Sequence, residues 1–375
     1  MKATTIGVLI TIFLSLGALA QADNKATPET KELYKKLHEI SDTINSNQKI
    51  LIGQQYAFSE GRGWRKHNQH VGTDLISDMQ KAVGVTPAVL GVDFNEIGDW
   101  NNRLLIEQMR EVHRRGGVVT MSWHTPAWVQ DGKGNGSSWD KTTPMLPRIL
   151  PGGDHHYKLI SELNRLADFF LEISDVPIIF RPWHEHNGSW FWWGRKNCTR
   201  EEYLKLWDIT VKLLKKRGVH NLLFAYSPTG VEEDYLERYP GDHVIDILGV
   251  DHYFYNKVFD LVIIGSLSPL QKYKKGIVWL CEEAARRNKI PAVTEFGMET
   301  ASYRRFWTDY FGWPLERAGM EQIRGVGKAP KKGPAFIMLW RNDMTDRKHY
   351  YGPIPGHKNN ANFHELMSKG IFMGL

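Results

Sequence analysis

Two glutamates stand where strand-like runs end. Glu185 sits in the string His184-Glu185-His186-Asn187 after the apolar run that begins at Ile178, and Glu295 lies near the end of the run Ala292 to Phe296. A pair of carboxyl groups brought to one face by separate strands can cleave a glycosidic bond, one as general acid and the other as nucleophile, if their environments differ. The acid must keep its proton near neutral pH, which desolvation by Trp183, Trp190 and their neighbours can arrange. The nucleophile must stay ionised, and Tyr253 with one of the basic residues Arg181 or Arg341 could hold it so. Placed as in retaining enzymes, the two carboxyls would stand about 5 to 5.5 Å apart.

Other chemistry fits these residues less well. A lone glutamate at a strand end is usually solvated surface. The His184, Glu185, His186 triplet could suggest a metal site, but it lacks the His-Glu-x-x-His spacing, and strand alternation would point Glu185 away from both imidazoles. No metal and no cofactor is expected.

Such groups need a frame, and the chain supplies a regular alternation. Candidate strands run from Ile50 to Gly53, Ala88 to Phe94, Val118 to Trp123, Ile178 to Trp183, Leu222 to Ser227, Val244 to Tyr253, Ala292 to Phe296 and Ala335 to Trp340. Segments of helical spacing lie between them, for example Leu159, Leu163, Leu166 and Phe170, and a second that opens with Thr199 and Glu202 in capping-box spacing. Nearly continuous apolar strands alternating with helices imply a parallel sheet covered by helices, and eight of them imply closure into a single (β/α)8 TIM barrel. An extra N-terminal helix over Pro28 to Asn47 would cover the barrel floor. Residues after each strand would then line the active face. The irregular stretch from His124 to Asp154 is an expected long active-site loop.

Composition is consistent with this frame. The 375 residues are 42% hydrophobic and 24% charged, which excludes a disordered or fibrous chain. Fourteen tryptophans provide flat apolar faces, and seven of them, Trp123, Trp128, Trp139, Trp183, Trp190, Trp192 and Trp193, fall on or after the third and fourth strands. Aromatic faces beside carboxylates and hydrogen-bonding groups suit a polysaccharide, whose rings present C–H faces and hydroxyls. Trp192 and Trp193 are adjacent, so at most one is expected to reach the cleft. Trp207 and Trp279 lie in helical patterns and read as packing. The formal charge of +6 would suit an anionic partner, but the runs at Lys272 to Lys275 and Lys328 to Lys332 read as solvated faces, and no nucleic-acid partner is expected.

Residues 1–22 read as a signal peptide, with Lys2, an apolar run from Ile6 to Leu16, and Ala18, Ala20 and Ala22 for cleavage. The expected product is residues 23–375, a monomer without a membrane anchor, exported to the periplasm or secreted. Cys198 and Cys281 are expected to be unpaired.

The stretch Arg181 to Gly194, RPWHEHNGSWFWWG, resembles the motif of glycoside hydrolase family 26, whose members are mostly β-1,4-mannanases. GQQ at 53–55, SWH at 122–124, GVDHY at 249–253, TEFG at 294–297 and LWRN at 339–342 follow the family's order. The resemblance implies a barrel in which Glu185 is the acid/base and Glu295 the nucleophile. It implies that His184 stands where many relatives have an Asn holding the 2-hydroxyl, that Tyr253 contacts the nucleophile, and that Trp190 is a platform beside the leaving group. His124, Asp251, Trp340 and Arg341 would surround the sugar on the glycone side, with Trp139 a further platform, although Asp251 could instead be a partner that orients His184 or Arg341. His186 departs from the family, which often has Met there, and could alter the pocket wall.

A retaining endo-β-1,4-mannanase acting on mannan, glucomannan or galactomannan is therefore expected. The alternatives are a mannobiose-releasing exo-enzyme, a mixed-linkage glucanase or xylanase of the same family, and a non-catalytic carbohydrate-binding barrel, which would have no need of both glutamates.

Overall fold

A computed structural model describes residues 23–42, 49–70, 74–99, 101–130, 134–231, 233–255, 268–322 and 328–375. Residues 1–22, read above as a signal peptide, lie outside them.

Eight parallel strands form the frame: β1 (Ile50–Gln55), β2 (Val89–Asp93), β3 (Val118–Ser122), β4 (Ile178–Arg181), β5 (Leu222–Tyr226), β6 (Ile247–Phe254), β7 (Ile290–Met298) and β8 (Phe336–Leu339). Each pairs with the next, and β8 returns to β1 with Leu51 opposite Phe336, so the sheet closes. Closure leaves no open edge among these strands, and β-branched residues such as Val118, Val119, Ile178 and Ile179 fit strands buried on both faces. A short ninth strand, β9 (Phe372–Met373), pairs parallel to the start of β1, with Ile50 opposite Phe372. Gly53, first residue of the GQQ motif, permits the β1–β2 approach, since a Cβ there would lie 2.4 Å from Val89 Cβ.

Helix α1 (Pro28–Ser41) starts at Thr27, whose side chain accepts from the Thr30 N–H, with Pro28 at the first helical position. Its Leu33, Tyr34 and Leu37 pack with Leu51, Val89, Ile179, Leu223, Ile247 and Phe336, covering the barrel floor as expected. Burying a leucine such as Leu37 is worth about 2 kcal/mol. The helix stops at Ser41 rather than Asn47: Asp42 is extended, Gly333 N–H donates to the Ser41 carbonyl, and Asp42 bridges Lys332. Of the predicted remainder, residues 43–47 lie outside the described ones.

The outer helices are α2 (Asp78–Val83), α3 (Asn102–Arg114), α4 (Met145–Ile149), α5 (His156–Glu172), α6 (Arg200–Lys216), α7 (Pro269–Arg287), α8 (Arg317–Glu321) and α9 (Asn360–Ser368). The predicted capping box at Thr199 and Glu202 starts α6, both of its hydrogen bonds being present. The β5–β6 connection is made of turns among its described residues, and α4 interrupts the long loop after β3. Cys198 and Cys281 are buried and free. Among the described residues no helix is long and apolar enough to cross a membrane.

Candidate active site

Strand β4 ends at Arg181, two residues before the predicted Trp183, and the chain turns sharply. Trp183 and Glu185 adopt φ of 56° and 52°, the left-handed region that side chains other than glycine rarely occupy. Such backbone costs on the order of 1 kcal/mol or more per residue and persists only where neighbours fix it. Tyr203 on α6 donates its hydroxyl to the Trp183 carbonyl at 2.8 Å, and Trp193 donates its indole N–H to the His184 carbonyl at 2.8 Å. Glu185 N–H donates to the Ser227 carbonyl at 2.8 Å, and Asn187 exchanges two hydrogen bonds of 2.8 Å with the Thr229 backbone. These brackets present Glu185 half-buried at the top of the barrel.

The bracketing changes the reading of the tryptophans. Trp123, Trp183, Trp192 and Trp193 are fully buried and pack against one another, with Trp123 and Trp183 centroids 5.1 Å apart and Trp192 and Trp193 5.0 Å apart. Neither Trp192 nor Trp193 reaches the cleft. Much of the clustered aromatic surface therefore supports the turn. Trp139, 59% exposed, and Trp190, half-buried, are open to a ligand.

Strands β6 and β7 supply the second carboxyl. Their register steps between Val250 and Asp251, leaving Thr294 unpaired in a bulge that sets Asp251 opposite Glu295. Tyr253 donates its hydroxyl to Glu295 Oε2 at 2.8 Å, and the Arg181 guanidinium hydrogen-bonds Glu295 Oε1 through Nη2. Through Nη1 the same guanidinium reaches both Asp251 oxygens at 3.0 Å and Ser227 Oγ at 2.7 Å. Of the two basic residues expected beside Glu295, Arg181 is the one that bonds it. Arg341 pairs instead with Glu96 at 3.0 Å and Glu60 at 3.5 Å.

One oxygen each from Glu185, Asp251 and Glu295 lies within 4.8 Å of the others. Their surroundings differ. Burial, then the negative charges of Asp251 and Glu295, raises the Glu185 carboxyl well above the usual carboxyl range, against the opposing hydrogen bond from Trp190 Nε1 to its Oε2 at 2.7 Å. Glu295 instead faces a guanidinium and a phenol, each donating to one of its oxygens. Two carboxyls this close, one inclined to keep a proton and the other surrounded by donors, can divide the roles of acid and nucleophile. The cluster is not arranged as a cation site, because Arg181 already bonds two of its three members. Nor do His184, Glu185 and His186 converge, since His186 turns into the core between Tyr203 and Tyr226, at centroid distances of 4.6 and 5.0 Å.

The remaining expected contacts divide. Trp340 is half-buried beside His124, their centroids 6.1 Å apart, and Arg341 is 22% exposed. Trp139 packs edge-on against Phe191 at 5.5 Å with its other surface open. Asp251, expected beside the sugar, is fully buried and serves Arg181 and Thr294 instead. His184, also expected at the sugar, is only 1% exposed, and its Nε2 is 3.1 Å from His124 Nε2. His186 forms no part of the pocket wall, being 1% exposed behind the turn. Sequence reasoning assigned no role to Asp93, which accepts from Ser122 Oγ at 2.7 Å and contacts His124 Nδ1 at 2.7 Å, although its position at the end of β2 was the signal. It also overlooked Tyr351, whose ring meets Tyr253 edge-on at 5.7 Å.

Comparison with known proteins follows the same lines. The family described as glycosyl hydrolase family 26 matches residues 22–324. The chain is 33% identical over 298 residues to a mannan endo-1,4-beta-mannosidase of Bifidobacterium adolescentis, covering 74% of this chain and 28% of that protein. It is 26% identical over 272 residues to mannan endo-1,4-beta-mannosidase A and B of Caldalkalibacillus mannanilyticus, covering 66% and 49%. It thus spans only about a quarter to a half of the length of these curated relatives. Among solved structures, a GH26 beta-mannanase from Bacteroides ovatus superimposes with TM-score 0.75 at 31% identity, covering 93% of this chain and 95% of that one. The catalytic domain of a Bacillus sp. JAMB-750 GH26 endo-beta-1,4-mannanase gives TM-score 0.78 at 27% identity, covering 95% and 93%.

Proposed function

The chain belongs to glycosyl hydrolase family 26, and on that premise we propose that it is a retaining endo-β-1,4-mannanase in which Glu185 is the acid/base and Glu295 the nucleophile. The observation that carries the reading is the pair itself: carboxylate oxygens within 4.8 Å of each other in unequal environments. That spacing suits direct attack and leaves little room for the water an inverting enzyme places between its carboxyls.

In the first step Glu185 gives its proton to the glycosidic oxygen while Glu295 attacks the anomeric carbon, forming the glycosyl–enzyme ester and releasing the leaving sugar. Arg181 and Tyr253 orient Glu295 and hold its charge until the bond forms. With the covalent bond made, Glu295 no longer carries the charge that raises Glu185, so Glu185 becomes the stronger acid and is left ionised. It then takes a proton from water, which attacks the ester and frees the sugar with retained configuration. Trp190 serves both as the donor to Glu185 and as an aromatic surface on the leaving-group side. Trp139 extends that surface, and Trp340, His124 and Arg341 form the glycone side.

Mannan as substrate is supported by the names of the relatives, and endo action by the same names. Digestion of glucomannan, galactomannan, lichenan and xylan tests both. An early spread of long mannooligosaccharides is expected, with loss of nearly all turnover in Glu295→Ala. Mannobiose alone from the first minutes contradicts endo action, release from lichenan or xylan in preference contradicts mannan, and unchanged hydrolysis by Glu295→Ala contradicts the site. On the pattern of residues 1–22 we also propose export. N-terminal sequencing of the exported protein is expected to begin at Gln21 or Asp23, and an intact Met1 in the cell contradicts it.

A further inference from the structure

Behind the glycone side of the cleft runs a chain of three side chains whose connection plays no part in the steps above. Asp93, 1% exposed at the end of β2, contacts His124 Nδ1 at 2.7 Å and also accepts from the His124 backbone N–H at 3.0 Å. His124 Nε2 is 3.1 Å from Nε2 of His184. The order is therefore carboxylate, half-exposed imidazole, buried imidazole. A carboxylate accepts only, so His124 Nδ1 must carry a hydrogen. The Nε2–Nε2 contact needs one hydrogen between two like atoms, so one ring donates and the other accepts.

We propose that Asp93 is a positioning residue for glycoside cleavage, acting through His124: it locks the ring and keeps it doubly protonated, with one N–H held by Asp93 and the other by His184, so that the glycone side of the cleft is walled by a fixed imidazolium backed by its own counter-charge. This rests on the reading of the site given above. The arrangement has a chemical reason. Charge that turns positive at the anomeric carbon is poorly served by a bare cation nearby, whereas an Asp93–His124 ion pair fixes the ring with little net charge. His184 is then the acceptor, which explains how its ring can be buried at the sugar's edge without being a sugar contact.

The surrounding charges agree. Burial alone would lower the His124 imidazole, but Asp93, followed by Glu295 and Glu185, outweighs it and pushes the group up to about 9. His184 is moved the other way, by burial and then by the charges of His124 and Arg181. The groups facing His124 are Asp93 from β2, Glu96 just beyond it, His184 and Glu185 after β4, and Glu295 from β7, with Phe191 and Trp340 as its ring neighbours.

NMR titration of the histidines, with His124→Gln used to assign the His124 signal, tests the charge independently of turnover. In the unaltered protein the His124 midpoint is expected above 8, and a midpoint near the ordinary histidine value of about 6.5 overturns the proposal. In Asp93→Asn the midpoint is expected to fall toward that ordinary value. On mannooligosaccharide, Asp93→Asn is expected to lose kcat/KM by about ten- to a hundredfold at pH 8, the loss typical of one hydrogen bond to a charged group, and to recover most of it at pH 5.5, where His124 recharges. His124→Gln, which cannot recharge, is expected to show the same loss at both values. An equal deficit at both values in Asp93→Asn would mean a merely structural role and overturns the proposal. If Asp93→Asn does not fold, the titration of the unaltered protein decides. A site misassigned altogether would show instead as full activity in Glu295→Ala.

Discussion

Trp190 donates its indole N–H to Glu185 Oε2 at 2.7 Å, so the aromatic surface proposed for the leaving group also lowers the carboxyl that burial and neighbouring charge raise. The other Glu185 oxygen is left to present a proton.

Replacing Trp190 with Phe keeps an apolar ring and removes that donor. The hydrogen bond acts to lower the Glu185 carboxyl, so its loss raises the group further. The alkaline limb of the kcat/KM profile is expected to move to higher pH, and kcat to fall about tenfold because the acid is weaker. A limb that stays in place, measured between pH 5 and 10, would show that another group sets it.

Arg181 bears on stability as well as on the reaction. It is fully buried and is shared by Asp251 and Glu295. Arg181→Met leaves both acids without their cation, and stranding a buried charge typically costs about 3 to 5 kcal/mol. Without the guanidinium, folding pushes the two carboxyls up, so the variant is least stable at neutral pH and recovers as acid protonates them. Urea unfolding at pH 7 and pH 4.5 is expected to show the larger deficit at pH 7. Equal deficits would mean that lost packing outweighs lost charge.

His186 makes the opposite case. Neither of its ring nitrogens has a hydrogen-bond partner among the described residues, and burial, then Arg238 and Arg195, holds the group well below the ordinary histidine range. Its folded value is depressed, so its contribution is present above about pH 6.5 and is lost as the unfolded chain takes up a proton below that. His186→Met removes both penalties at similar volume. It is expected to stabilise the protein by about 1 kcal/mol at pH 8 and by more at pH 5, with turnover unchanged. A loss of stability at pH 5 would contradict this.

The barrel and its two glutamates were legible because both have sequence periods. Apolar runs recur at strand spacing, and residues after the runs ending near Trp183 and Phe296 fall at one end of the barrel. The tryptophans were harder to read. Trp190 and Trp193 are three residues apart in one motif, yet one opens on the cleft and the other ties the His184 carbonyl. Both lie in the irregular turns that follow β4, where strand alternation does not apply. Asp251 and His184 were placed beside the sugar by the family resemblance. Only the bulge at Thr294 and the His124–His184 contact show that each stands one layer behind.

The central claim is that Glu295 forms a bond to the sugar. Proton NMR of mannopentaose hydrolysis, recorded before mutarotation, follows the anomeric signals of the new reducing ends. Double displacement predicts that the β-anomer accumulates first and equilibrates later. First appearance of the α-anomer would mean a single displacement by water and would contradict the account.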